Sequence, residues 1–300
     1  MKYKLTVTVG IPAYNEEINI RPLLKDILKQ NRKGYLLSKI LVISDGSTDK
    51  TTKYANYFNK RKITVLENSM KMGISYTQNR IIKNTFTDIL LLLNSDIRIF
   101  DKNFIEKLIL PITNFKTDLV AAGVIEMNPT TIFEKALLAS TKIKNYVYEK
   151  LNYGNNVYTC RGVARAFSKR LYKEIRFEEN VGEDAFSYFF CKQQGFNYLY
   201  SLSAKVSYKL PDNFSDHKNQ SLRFFRSQKI LKNKFGKAIV AREYNLPKLL
   251  LLKSFLKILT ENPGLTLLYF FILGTLKLRS VFENNTRDYI WNASLSSKKI

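Results

Sequence analysis

The chain has 300 residues, enough to bury a sizeable core in one or two domains, and its 45% hydrophobic and 13% aromatic content excludes wholesale disorder. Lys and Arg total 49 against 25 Asp and Glu, a formal net charge of +24 that directs the chain towards phosphate-bearing partners: nucleic acid, anionic lipid headgroups or a nucleotide substrate. Cys160 and Cys191 are too few for a disulfide framework and lack zinc-site spacing, which implies a reducing compartment and two small buried apolar residues.

Leu5 to Ile11 reads as a strand, too short before Pro12 for a signal-peptide core, so the first domain is expected to stay in the cytosol. It runs into the polar cluster Pro12-Ala13-Tyr14-Asn15-Glu16. Glu16 to Gln30 carries Ile20, Leu23, Leu24, Ile27 and Leu28 at helical spacing, with Gly34 as a stop. Lys39 to Ile43 is a second strand, ending in Ser44-Asp45-Gly46-Ser47-Thr48-Asp49. Thr48 to Phe58 opens with capping residues and predicts a helix, Lys62 to Leu66 a strand, and Ser75 to Phe86 a helix with Ile81, Ile82 and Phe86 on one side. The run Leu90 to Leu93 then reads as a strand buried on both faces, and it delivers Asn94, Ser95 and Asp96 to the strand's carboxyl end.

That alternation predicts a parallel sheet with right-handed crossovers, so three polar clusters converge on the edge where open α/β sheets place ligands. A carboxylate there points to a metal or an anion-handling site; the alternative is a turn whose Asn and Asp cap the backbone. Farther on, Leu119 to Ile125 reads as a strand, Thr131 to Tyr148 as a long helix, Asn152 to Asn156 as a loop and Val163 to Phe167 as a short strand after Gly162. Helices are expected around Ser168 to Ile175 and Asp184 to Gln194, and a strand or pair of strands over Phe196 to Tyr208.

The tail differs in character. Leu249 to Leu252, Phe255 to Leu259 and Leu265 to Leu276 are strongly apolar, punctuated by Lys248, Lys253, Lys257, Glu261, Pro263, Lys277 and Arg279. A spanning helix needs about 20 apolar residues, so an in-plane or re-entrant helix is favoured over a full span, with two helices packed on the catalytic domain as the alternative. The flanking lysines favour anionic headgroups. No G-x-G-x-x-G follows a strand, which sets aside a dinucleotide-binding oxidoreductase, and no helix-turn-helix or zinc-finger signature supports nucleic acid as the partner. A nucleotidyltransferase would carry a Gly-rich basic loop where Pro12-Ala13-Tyr14-Asn15 stands.

Val9 to Glu17, Leu41 to Thr51, Leu92 to Asp96 and Gly182-Glu183-Asp184, taken in that order, resemble the motifs of the family 2 glycosyltransferases of the GT-A fold, over roughly residues 5 to 230. The resemblance implies an α/β chain of GT-A type: a mostly parallel, Rossmann-like sheet flanked by helices in a catalytic domain at 1–235, then a helical, membrane-associated tail at 236–300. It implies a metal-dependent hexosyltransferase that moves a sugar, with inversion, from a nucleotide-diphosphate donor to a saccharide or lipid-linked acceptor in cell-envelope glycan synthesis. A polyprenyl-phosphate sugar synthase is the alternative, and a basic nucleic-acid-binding α/β protein a more remote one. The expected partners are the nucleotide-diphosphate sugar, a glycan or lipid-linked acceptor and an anionic membrane surface, not nucleic acid. The expected place is the cytoplasmic face of the cell membrane, peripheral or re-entrant through the tail.

Residue by residue, the resemblance puts Pro12, Ala13 and Tyr14 on the base and ribose and has Glu16 support their loop. Asp45 accepts a hydrogen bond from the base or else caps the next helix, and Lys71 pairs with a donor phosphate. Asn94 and Ser95 line the donor site beside Asp96, which holds Mg²⁺ or Mn²⁺; Asn94 stands where the usual Asp-x-Asp has its first Asp, one formal charge fewer. Asp184 matches the general base, with a helix N-cap as the alternative, and Glu183 orients the site. Gln220-Ser-Leu-Arg223-Phe224 is similar to the Gln-x-x-Arg-Trp element of membrane-associated synthases. There Gln220 and Arg223 share a helical face, Arg223 grips the diphosphate and Phe224 stacks on an acceptor sugar. His217, the only histidine, completes the metal shell opposite Asp96 or has a structural use.

Overall fold

The computed structural model describes residues 4–58 and 62–282, with side chains through Thr275. Lys277 and Arg279 lie outside the described side chains, and the expected tail beyond residue 282 lies outside the described residues. The described residues form two compact units, one from 4–125 with Asn155–Tyr208, the other from Glu126–Gly154 with 209–282.

The first unit begins with the alternation read from the sequence: β1 (Leu5–Ala13), α1 (Ile20–Leu28), β2 (Tyr35–Ser44), α2 (Thr51–Asn56), β3 (Ile63–Glu67), α3 (Ile74–Lys83) and β4 (Ile89–Leu93). These four strands are parallel, in the spatial order β3-β2-β1-β4. All five residues of β4 are buried, because helices cover both faces of a parallel sheet. Val7, Val9 and Ile11 of β1 join Leu23, Leu24 and Ile27 of α1 in one continuous core. A Cβ on Gly10 would fall 2.3 Å from Ile81 Cγ2, so α3 crosses β1 where only glycine leaves room.

After β4 come α4 (Phe104–Phe115), β5 (Leu119–Glu126), β6 (Ala164–Ser168), α6 (Lys169–Glu174), α7 (Glu183–Gln193) and β7 (Tyr198–Tyr208), with α5 between β5 and β6 in the second unit. The full order is β3-β2-β1-β4-β6-β5-β7. β6 runs antiparallel to β4, with Leu93 opposite Ala164, so the start of β6 meets the carboxyl end of β4. The strand or pair of strands expected over Phe196 to Tyr208 is the single strand Tyr198–Tyr208, and α4 is a helix with no counterpart in the sequence reading. Cys160 and Cys191 are both buried and unbridged, as expected, and burial pushes both thiols up.

At the opposite, amino edge of the parallel strands, the Asp118 carboxylate accepts from Arg170 Nε and Nη2 at 2.5 Å each, from Ser168 Oγ at 2.8 Å and from the Asn197 amide at 3.1 Å. Burial alone would raise this carboxyl, but those bonds and the Arg170 charge hold it below the usual range.

The second unit is helical: α5 (Ile132–Lys150), α8 (Phe214–Phe235), α9 (Lys237–Glu243), α10 (Lys248–Glu261) and α11 (Pro263–Phe282). Thr131 and Glu134 close a capping box on α5, matching the expected start of that helix. Ser254 Oγ of α10 donates to Ile143 O of α5 at 2.8 Å, and Phe255 meets Phe270 of α11 edge-on at 5.0 Å. No described helix is long and apolar enough to cross a membrane. α8, which the sequence reading grouped with the first region, folds in this unit.

Candidate active site

Strand order reverses on either side of β1, whose neighbours are β2 and β4, and open sheets form their ligand crevice at such a switch point. The loops after β1, β2 and β4 all leave this carboxyl edge, and α7 begins beside it.

The first two loops are stitched together. Pro12 and Ala13, the last residues of β1, are buried and in register with Ile43 and Ser44, and the Asp45 amide donates to Ala13 O at 2.8 Å. Asn15 takes a left-handed φ of 51°, a region Asn tolerates better than most residues. Its amide donates to Ser47 Oγ at 3.1 Å, while its Oδ1 accepts from the Thr48 amide at 2.9 Å. The Glu16 amide donates to Thr51 Oγ1 at 2.6 Å, and the Glu17 amide to Asp49 Oδ2 at 3.0 Å. Glu16 is buried and its carboxylate accepts from Asn19 Nδ2 at 2.8 Å, inside its own loop.

Asp45 is 4% exposed. Its Oδ1 accepts from Asn68 Nδ2 at 2.6 Å and the Met72 amide at 2.9 Å, and its Oδ2 from the Gly73 amide at 2.8 Å. With about four acceptor positions on a carboxylate, these bonds leave about one for a ligand, so Asp45 fixes the 68–73 loop in addition to any contact with a base. Gly46 has φ 65°, and a Cβ there would sit 2.5 Å from the Lys71 amide nitrogen, so the two loops touch through backbone. Lys71 Nζ in turn lies 4.3 Å from the centre of the Tyr14 ring, a cation held over an aromatic face at the rim.

The loop after β4 belongs to the other half of the edge. The Asn94 amide donates to Val163 O at 2.9 Å, Ser95 is buried, and Asn94 and Asp96 are half-buried. One residue before Val163, a Cβ on Gly162 would lie 2.9 Å from Glu183 Oε1 and 3.6 Å from Asp184 Cβ. The Asn94–Asp96 turn and the first turn of α7 therefore flank the same short segment. Asp184 is half-buried, and its Oδ1 accepts from the Ala185 amide at 2.7 Å. The N-cap of α7 is Gly182, so Asp184 is not the helix cap that the sequence offered as the alternative but a first-turn carboxylate beside the crevice.

Arg165 went unnoticed in the sequence. It lies in β6, between the β4 partner strand and α7, with 0% exposure. Nη1 donates to Glu183 O at 2.7 Å and Ser187 Oγ at 2.6 Å, and Nη2 to Gln78 Oε1 of α3 at 3.4 Å, with Glu183 Oε1 at 4.0 Å. The available signal was a lone arginine in the otherwise apolar run Val163 to Phe167. Asn68 and Gly162 were missed as well, since nothing in their spacing sets them apart.

Tyr14, Asp45, Asp96 and Asp184 thus share one edge of the first unit. His217, Gln220, Arg223 and Phe224 lie on α8 of the second unit. The His217 ring is edge-on to Phe133 at 6.2 Å, and burial, then Lys144, push its pKa down to about 4. Gln220 and Arg223 are half-buried, and Phe224 is exposed, edge-on to Tyr244 at 5.7 Å.

Among the described residues no group of three or more His, Cys, Asp or Glu could hold a metal by itself. Asp96 offers one hard carboxylate at the crevice. That donor set fits Mg²⁺ or Mn²⁺ in the mode where one or two carboxylates, waters and substrate phosphates share the coordination, and it does not fit an all-protein cage.

The model of the family described as "Glycosyl transferase family 2" matches residues 8–176. Comparison with curated proteins finds no match. Among solved structures, a mannosyltransferase from Pyrobaculum calidifontis in complex with GDP-Man and Mn²⁺ aligns with TM-score 0.59 and 17% identity, covering 95% of this chain and 77% of that one. S. aureus TarS in complex with UDP aligns at TM-score 0.51 and 18% identity, covering 77% and 72%. Glucosyl-3-phosphoglycerate synthase from Mycobacterium tuberculosis, with Mn²⁺, UDP and phosphoglyceric acid, aligns at 0.53 and 18%, covering 76% and 78%. At these identities the likeness is one of fold.

Proposed function

The chain belongs to glycosyl transferase family 2, and on that premise we propose that it transfers a sugar, with inversion, from a nucleotide-diphosphate donor to a saccharide or lipid-linked acceptor in cell-envelope glycan synthesis. Pro12, Ala13 and Tyr14 receive the nucleoside, and Asp45 holds the 68–73 loop so that Lys71 stands beside Tyr14 at the diphosphate end. Asp96, with Asn94 and Ser95 around it, would hold the divalent cation. The cation, when bound, neutralises charge that develops on the departing diphosphate. Support for this cofactor comes from the donor chemistry at Asp96 and from two neighbours of the same fold that carry Mn²⁺.

Asp184 acts on the acceptor. Its carboxylate takes the proton of the attacking hydroxyl as the new bond to the anomeric carbon forms and the bond to the phosphate oxygen breaks, the electron pair leaving with the nucleoside diphosphate. Attack from the face opposite the leaving group inverts the centre, and one base suffices. Glu183 orients the first turn of α7. The observation that carries this reading is the half-buried Asp184 carboxylate beside Gly162, one residue from the bond that fixes the Asn94–Asp96 turn. Asp184 lies beyond the span matched by the family model, so its role rests on that placement and on the resemblance of its motif. Replacing Asp184 by Asn is expected to lower turnover about a thousandfold while calorimetry records nearly unchanged donor binding; retained turnover rejects the base assignment.

Membrane attachment belongs to the same reading. On α10 the exposed face carries Leu249, Leu252 and Leu256 with Lys253 and Lys257, and on α11 it carries Leu267, Phe270 and Phe271. Exposed apolar side chains interleaved with lysines suit the interface of an anionic bilayer and repel a second copy of a chain at +24. The enzyme would work at the cytoplasmic face of the cell membrane. Flotation with phosphatidylglycerol vesicles, lost on Leu267→Glu with Phe271→Glu, checks the attachment; unchanged flotation rejects this face.

A further inference from the structure

Arg165 is among the largest fully buried side chains of the protein and carries a permanent charge. Removing a guanidinium from water is costly unless every donor is met and a counter-charge is close. The first condition fails and the second is met only at the outer limit of an ion pair. Its Nε has no hydrogen-bond partner among the described residues, and Glu183 Oε1 stands 4.0 Å away. The Phe167 and Phe177 rings, 5.5 and 5.8 Å from Cζ, make the surroundings apolar. A methionine or leucine would fill such a site at less cost to folding, and local violations of that kind cluster where function requires them.

What the charge does is visible in its partners. Nη1 donates to the Glu183 carbonyl and to Ser187 Oγ, and Ser187 Oγ itself donates to the Glu183 carbonyl at 2.7 Å, which closes a small ring on the first turn of α7. Nη2 reaches Gln78 on α3, the helix that follows Met72 and Gly73, whose amides are bonded to Asp45. The Arg165 backbone lies in β6 opposite Leu92 of β4, the strand that leads into Asn94. One residue thus joins, by its side chain and its backbone, the three elements next to the donor loop, the Asp96 turn and Asp184.

The geometry points to Arg165 as the positioning residue of the transfer site: it fixes the first turn of α7, and with it Asp184, relative to the β4 turn and α3. This inference rests on Asp184 being the base. Displacement of a reacting group by about 1 Å costs about a hundredfold in rate without abolishing substrate binding, and this gives the expected signature.

The test uses the full chain. Arg165→Met is expected to lower kcat about a hundredfold while calorimetric donor affinity stays within about twofold and Tm holds, since an apolar replacement of a buried charge is often neutral for stability. Arg165→Lys, which keeps the charge but loses the fork, should recover about tenfold of the kcat loss. A kcat within about threefold of the parent, or a loss of donor affinity in step with kcat, overturns the inference. Should Arg165→Met fail to fold, Ser187→Ala decides: removal of one Nη1 partner should lower kcat about fivefold at constant donor affinity, and an unchanged kcat overturns the inference. Asp184→Asn assayed alongside separates the two failures. If it keeps its turnover the base assignment falls; if it is inactive and Arg165→Met is not, only the positioning role falls.

Discussion

The two halves of the carboxyl edge are held in different ways. On the donor half, three loops are bound to one another by many short, local bonds: Asn15 with Ser47 and Thr48, Glu16 with Thr51, Glu17 with Asp49, and Asp45 with Asn68, Met72 and Gly73. On the base half, the first turn of α7 is tied to β6 by a buried guanidinium, with Cys160 Sγ donating to Asp184 O at 3.4 Å. Nucleotide recognition needs a surface that is ready before the ligand arrives, and redundancy provides it. Proton transfer needs one carboxylate at one place, and the buried guanidinium is the charged strut that helps to define it. The difference predicts that single substitutions on the donor half weaken binding, whereas those on the base half leave binding alone and remove rate.

The sharpest way to break this contrast is at Asp96, in the loop after β4. Asp96→Ala is expected to cost about a thousandfold in turnover, with chelation of the parent enzyme producing a similar loss; a steady-state assay with and without EDTA checks it. Next in size is Asp45→Ala. It strands the Met72 and Gly73 amides, so donor affinity should fall about thirtyfold, measured by calorimetry, and Asp45→Asn should lie between. Asn15→Ala keeps a left-handed φ of 51° and loses the bond to Thr48, which should raise the donor KM about fivefold. Asn15→Gly should restore the backbone but not the bond and fall closer to the parent.

The smallest effect lies far from the crevice. Asp118 is held below its ordinary range in the folded chain, so its contribution to stability is present above the unfolded carboxylate value of about 3.9 and is lost as pH falls through the folded value. Asp118→Asn should therefore reduce Tm at neutral pH and flatten the acid limb below about pH 4, with turnover per folded molecule unchanged. A kinetic effect from Asp118→Asn would mean that the two edges of the sheet are not independent.

Much of the first unit was legible because parallel strands carry continuous apolar runs. β4 is five apolar residues in a row, and β1 and β2 end in polar clusters that the sheet then brings together. The antiparallel sense of β6 was not legible, since a short buried strand shows the same pattern in either direction. α4 was hidden by Pro111 within it, though Phe104, Ile105, Leu108 and Ile109 do form its buried face. Lys71 illustrates a subtler limit: its charge was plain, but its seat over the Tyr14 ring depends on Gly46 letting two loops touch. Arg165 was least legible of all. In a strand an arginine reads as an outward-facing residue, and its burial is set by Glu183 and Gln78, 18 and 87 positions away.

Hydrogen–deuterium exchange of the full chain, with and without a nucleotide-diphosphate sugar and Mn²⁺, tests the shared crevice most directly. Simultaneous protection of residues 12–17, 45–49, 68–73 and 94–96, extending to 160–163 and 183–187 when acceptor is added, is the predicted result. Protection confined to other segments, with these unchanged at saturating donor, would contradict a single site on this edge.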